Sequence, residues 1–79
     1  MARVLLFGRL SDIAGWRERD IDSPSLEALR ALLADEDASL ADALAAPGVQ
    51  TALDQAIVRG DAALSAMSEV AFLPPMSGG

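Results

Sequence analysis

Lysine, histidine, cysteine and tyrosine are all missing from this 79-residue chain. With no imidazole, thiol or amine there is no Ser-His or Cys-His nucleophile pair, no Schiff-base lysine, and no set of nitrogen or sulfur ligands for a metal. The absence of cysteine also excludes a disulfide framework, and a small chain without such staples is more typical of the cytosol than of secretion. Long apolar runs are absent too. Nothing approaches the roughly 18 residues of a membrane span, and Met1-Ala2-Arg3-Val4 leads into strand-like sequence instead of a signal peptide. Positive charge is scarce: six arginines face twelve Asp and Glu, a formal charge of -6. That balance argues against nucleic acid, whose phosphates demand clustered Lys and Arg, and favours basic protein surfaces as partners. The composition therefore describes a cytoplasmic domain without nucleic-acid or membrane partners and without catalysis of its own.

What the chain does have is apolar content, 52% of residues, enough to fold although a core this small rarely supplies more than roughly 3 to 5 kcal/mol. Arg3 to Leu10 predicts a first strand. Ser11 to Gly15 predicts a short helical turn, with Ser11 as N-cap and Gly15 as a left-handed stop. Trp16 to Ile21 predicts a polar return strand near a sheet edge. Ser23-Pro24 is expected to open the main helix, whose Leu26, Leu29, Leu32 and Leu33 recur at helical spacing. Ala38 to Ala46 predicts a weaker helix ended by Pro47-Gly48, Thr51 to Arg59 a strand, Arg59-Gly60-Asp61 a turn, and Glu69 to Leu73 a last strand. Asp35-Glu36-Asp37 lacks the glycine and spacing of a calcium loop and is expected to be a solvated helix junction.

Strand parity sorts these side chains further. Val4 and Leu6 oppose Arg3, Leu5, Phe7 and Arg9. Ile57 shares its parity with Arg59, and Leu73 shares its own with Glu69, against inward Val70 and Phe72. Phe7, Ile57 and Leu73 thus fall on faces that also carry charge. If the strands are neighbours, the three form an exposed patch rimmed by Arg3, Arg9 and Arg59, as protein-binding surfaces do; otherwise they are scattered surface hydrophobes.

The chain closes with Pro74-Pro75-Met76-Ser77-Gly78-Gly79. Prolines cannot continue a ladder, so a projecting tail follows Leu73, and glycines at its tip can thread a narrow slot. With Val4-Leu5-Leu6-Phe7-Gly8, Ser25-Leu26-Glu27-Ala28-Leu29-Arg30, Gln55-Ala56-Ile57-Val58 and Glu69 through Gly79, the sequence resembles the small sulfur-carrying subunits of molybdopterin synthase, relatives of ubiquitin. The resemblance spans essentially the whole chain, and the closing Val-Ala-Phe-Leu-Pro-Pro-x-x-Gly-Gly stretch is its specific part. Asp54 stands where the family usually has Asn, and Ala66-Met67-Ser68 replaces an Asp/Gly-rich turn.

The resemblance implies an α+β, ubiquitin-like β-grasp fold over residues 1–73, with a mixed sheet packed against one main helix. It implies a flexible C-terminal Gly-Gly tail over residues 74–79. It also implies that an ATP-dependent activating enzyme adenylates the Gly79 carboxylate, which becomes a thiocarboxylate. That sulfur then passes to precursor Z (cyclic pyranopterin monophosphate) inside the large catalytic subunit, in a heterotetramer of two small and two large chains. Gly78 and Gly79 are then the reacting end. Phe7, Ile57, Leu73, Pro74, Pro75, Met76 and Ser77 make the partner contacts, and no cofactor or metal is bound by this chain. A thiazole-pathway sulfur carrier, a ubiquitin-like modifier and an inert interaction domain are the competing readings.

Overall fold

The computed structural model describes residues 1–75, in which five strands and three helices form one layered unit. In chain order these are β1 (Ala2–Leu6), α1 (Arg9–Ala14), β2 (Glu18–Ile21), α2 (Leu26–Glu36), α3 (Ala38–Leu44), β3 (Gln50–Leu53), β4 (Ala56–Val58) and β5 (Glu69–Leu73). The sheet runs β2-β1-β5-β3-β4. Its centre is the parallel pair β1 and β5, in the register Val4 with Val70 and Leu6 with Phe72, while the other pairs are antiparallel. The sheet is therefore mixed, and β2 lies at an edge as its polar sequence predicts.

Alternation decides which face is covered. Val4, Leu6, Val70 and Phe72 are buried, and they pack with Leu26, Leu29 and Leu33 of α2, Leu10 of α1 and Leu40 of α3. The leucine spacing of α2 puts Leu26, Leu29 and Leu33 on its buried stripe, with Leu32 at the margin. Arg30 leaves the stripe but closes over it. Its Nη2 donates to Thr51 Oγ1 at 2.6 Å, and its guanidinium carbon lies 6.0 Å from the Phe72 ring centroid.

Several local expectations need correction. The first strand ends at Leu6, not Leu10, because Gly8 adopts φ 56° and starts α1. Ser11 therefore sits inside the helix; its Oγ donates back to the Gly8 carbonyl at 2.8 Å and caps nothing. Gly15 does end α1 in the left-handed conformation. The cap of α2 is Ser25, whose Oγ accepts from Ala28 N at 3.1 Å, while Ser23 Oγ donates to the Ser25 carbonyl. Ser23 thus supports the cap one step removed. The return strand begins at Glu18, not Trp16, and Trp16 instead lies under Arg19, with 5.0 Å from guanidinium carbon to ring centroid.

The expected strand from Thr51 to Arg59 is a hairpin, β3 and β4, folded at Asp54-Gln55 with φ of 50° and 71°. Such a turn needs two left-handed residues, and Asp tolerates that region better than most. Asp54 is held from both sides: its N–H donates to the Glu69 carbonyl at 2.8 Å, and its Oδ1 accepts from Glu69 N at 2.9 Å. The turn before β5 is clasped by serines, with Ser68 Oγ accepting from Ser65 N and Ser65 Oγ accepting from Met67 N. Of the acidic run, Glu36 takes a two-pronged hydrogen bond from Arg19, and Asp37 Oδ1 caps α3 by accepting from Leu40 N. Both are ordinary junction roles.

Candidate functional site: the open sheet face and the root of the tail

The helices cover one face of the sheet, and the register states what the other presents. Leu5 pairs with Ala71, Ala71 with Ala52, and Ala52 with Ile57, so these four residues form one row across β1, β5, β3 and β4. One step further toward the C-terminal end of β5, Phe7 follows directly on β1 and Leu73 ends β5, beyond the Leu6–Phe72 pair. One step the other way the row turns charged, with Asp20, Arg3 and Glu69 in line. The face is thus polarised along the strands, and its apolar half adjoins the point where the chain leaves β5.

Within the apolar half, Phe7 is 46% and Ile57 50% exposed, while Leu5, Ala71 and Leu73 are partly covered. Phe7 and Leu73 lie on neighbouring strands. Ile57 does not adjoin either, because β3 runs between β4 and β5. On β3 the small Ala52 lies in the row of Ile57 and the exposed Gln50 stands opposite Leu73, so a small and a polar side chain separate Ile57 from the pair of Phe7 and Leu73. Ala52 escaped the sequence reading because the hairpin was read as a single strand. Asp54-Gln55, two polar residues set between Ala52-Leu53 and Ala56-Ile57-Val58, was the available turn signal.

The three arginines expected at the rim have separate fates. Arg3 Nε lies 3.3 Å from Glu18 Oε2, so its charge is shared with the edge strand. Arg9 belongs to α1 and lines a cleft with Ser39, Asp42, Ala46 and Pro75. Arg59 follows β4 and lies beside Val49 and Gln50. They do not form a ring around the patch.

The root of the tail is better defined. Phe7 N donates to the Phe72 carbonyl at 3.3 Å, which carries the β1–β5 ladder to its end. Pro74 then lies against Gly8, where an added Cβ would stand 3.0 Å from Pro74 Cγ. Pro75 lies against Gly48, where an added Cβ would stand 3.0 Å from Pro75 Cβ. Neither glycine was singled out as a contact from sequence, where Gly8 read as a strand residue and Gly48 as a helix stop. Met76, Ser77, Gly78 and Gly79 lie outside the described residues.

Chemically this surface offers apolar area and backbone, and little else. Among the described residues no group of three or more acidic side chains is gathered to hold a metal ion, and no helix is long and apolar enough to cross a membrane. Away from the open sheet face, in the α2–α3 junction, the hydrogen bond from Arg19 holds the Glu36 carboxyl below its ordinary value.

Comparison with known proteins fits this architecture. A model of the ThiS family matches residues 4–79. Over 81 aligned residues the chain is 35% identical to the molybdopterin synthase sulfur carrier subunit of Escherichia coli (strain K12), with all of both chains covered. Among solved structures, SAMP1 from Haloferax volcanii matches with a TM-score of 0.78 and 22% identity, covering 99% of this chain and 98% of that one. The small archaeal modifier protein 1 from Methanosarcina acetivorans matches with a TM-score of 0.87 and 20% identity, covering 99% of this chain and 95% of that one. At these identities the two structures speak for the fold, which is the ubiquitin-like β-grasp.

Proposed function

The chain belongs to the ThiS family, and on that footing we propose that it is a sulfur carrier for molybdopterin synthesis. The observation that carries this reading is the full-length similarity to a molybdopterin synthase sulfur carrier subunit, at 35% identity. The closing Gly78-Gly79 and the want of Lys, His and Cys agree with it.

The working atom is the carboxyl carbon of Gly79. An α-carboxylate has a pKa of about 3.3 to 3.7, so at neutral pH it is ionised and a poor electrophile. Activation begins when a carboxylate oxygen attacks the α-phosphorus of ATP on a separate enzyme and pyrophosphate leaves. Hydrosulfide then adds to the acyl carbon, and the carbon–oxygen bond to AMP breaks. The product is a thiocarboxylate. In the large synthase subunit its sulfur is transferred to precursor Z, the carbon–sulfur bond breaks, and water oxygen restores the carboxylate. No change of oxidation state at sulfur is required. Gly78 serves by having no Cβ, which lets the main chain thread a slot that a branched side chain would obstruct.

The remaining residues of the reading are a handle. Phe7, Ile57 and Leu73 give the partners an apolar face, and Pro74, Pro75, Met76 and Ser77 span the distance from that face to the reacting end. Residues 1–73 act as the domain and 74–79 as the tail, with two copies joining two large subunits. The test is reconstitution from purified chain, activating enzyme, ATP, sulfide and large subunit. Deleting Gly79, or adding one residue after it, abolishes product while thermal unfolding stays at the parent value. Product formation at the parent rate by the deleted chain would overturn the reading.

A further inference from the structure

Four glycines among the described residues adopt positive φ: Gly8 at 56°, Gly15 at 83°, Gly48 at 88° and Gly60 at 82°. Space around them divides them into two pairs. An added Cβ at Gly15 or Gly60 would meet nothing within 4 Å, so the turn alone accounts for glycine there. At Gly8 and Gly48 it would stand 3.0 Å from the rings of Pro74 and Pro75, and at Gly48 also 3.5 Å from Pro75 Cα, which is main chain. These two glycines lie 40 positions apart, one before α1 and one after α3, yet they face consecutive prolines.

We propose that Gly8 and Gly48 are positioning residues for the reaction at Gly79: their bare backbones seat the Pro74 and Pro75 rings and so fix where the reactive C-terminal segment leaves the domain. The inference rests on the carrier reading above and adds to it the part of the domain that aims the tail. Proline suits the seat because its ring locks φ near -65°, and it restricts the preceding residue to extended geometry. Leu73 and Pro74 are both such preceding residues. A root made of two seated prolines leaves four residues, 76–79, between the seat and the reacting carboxyl, a contour of at most about 14 Å at 3.3 to 3.6 Å per residue. The seat also adjoins the apolar half of the sheet face, since Phe7 precedes Gly8 and Leu73 precedes Pro74. A partner docked on that face receives the tail from a fixed origin.

Gly15 and Gly60 supply the control, because alanine there carries a φ strain matched to that of Gly48 without touching a proline. The experiment compares Gly48→Ala, Gly8→Ala, Gly15→Ala, Gly60→Ala and Pro75→Gly, glycine being used at 75 because alanine keeps the Cβ that faces Gly48. Each is followed by thermal unfolding, by nuclear Overhauser contacts between residues 48 and 75, and by kcat/KM for thiocarboxylate formation with activating enzyme, ATP and sulfide. The parent shows the contact between Gly48 Hα and the Pro75 ring, and Gly48→Ala loses it. Loading falls about tenfold for Gly48→Ala beyond any loss shared with Gly15→Ala and Gly60→Ala. Pro75→Gly, which removes the ring together with the Cβ that an added Cβ at Gly48 would meet at 3.0 Å, also loads more slowly than the parent.

Equal loading by all the folded glycine variants overturns the seat, as does parent-rate loading by Pro75→Gly. If Gly48→Ala fails to fold, Pro75→Gly decides alone, since it empties the seat without straining position 48: a loading loss supports the seat and parent-rate loading overturns it. A parent chain that is never loaded strikes the carrier reading instead, and the 48–75 contact still judges the seat. Its absence in the parent overturns the proposal whatever the chain carries.

Discussion

Phe7 offers the sharpest test of the open sheet face. It is 46% exposed, so of the roughly 200 Å² an aromatic side chain can bury, about 90 Å² is left for a partner to cover. At about 25 cal/mol per Å², covering that area contributes about 2 kcal/mol. Phe7→Asp should therefore weaken binding to the activating enzyme or the large subunit by about thirtyfold, at 1.4 kcal/mol per factor of ten. The part already buried, about 110 Å², is lost to folding instead, about 2.7 kcal/mol against the roughly 3 to 5 kcal/mol of a domain this size, so the folded fraction of the variant is measured before its affinity is compared. Ile57→Asp, at 50% exposure on the edge strand β4, serves as an independent copy of the experiment. The assay is titration calorimetry on each variant, with circular dichroism to verify the folded fraction. A folded Phe7→Asp variant that binds like the parent refutes the reasoning. So does one that merely unfolds without any separate loss of affinity, which would mean that the side chain belongs to the core.

Two further outcomes follow from the charges. Because acidic residues outnumber arginines two to one, the association rate with either partner should fall as salt rises from low to physiological ionic strength; stopped-flow rates independent of salt would contradict this. The hydrogen bond from Arg19 lowers the Glu36 carboxyl, so its contribution is complete above the unfolded value of about 4.3 and is lost as pH falls through the lower folded value. The difference in thermal midpoint between parent and Glu36→Gln should thus be present at neutral pH and vanish in acid, and a difference that persists in acid would assign it to packing.

Much of this architecture is legible in the residues themselves, and the exceptions share a physical cause. The span Glu69 to Leu73 matches β5 because it alternates cleanly between turn residues, and the leucine stripe marks α2 because its spacing suits only a helix. What pattern could not decide was set by hydrogen bonds between distant segments. Asp54-Gln55 turns the chain because Asp54 is held twice by the Glu69 main chain, and nothing in Thr51 to Arg59 reports that partner. Ser23 and Ser25 are equally good caps by composition, and Leu26 N donating to the Ala62 carbonyl helps to fix where the helix begins. The patch was half legible. Parity gives the outward direction of Phe7, Ile57 and Leu73, but the strand order that separates Ile57 from the other two belongs to the tertiary fold. The proline seat was invisible, since a glycine's missing Cβ has meaning only once its neighbour in space is known.

The central claim is that the functional group is the carboxyl of Gly79 and not any side chain, and the intact mass of the chain addresses it most directly. After incubation with activating enzyme, ATP and sulfide, the parent should gain the mass of one sulfur replacing one oxygen. Fragmentation should place that gain at Gly79, and the chain lacking Gly79 should gain nothing. Sulfur appearing elsewhere in the chain, or taken up equally by the shortened chain, would contradict the account.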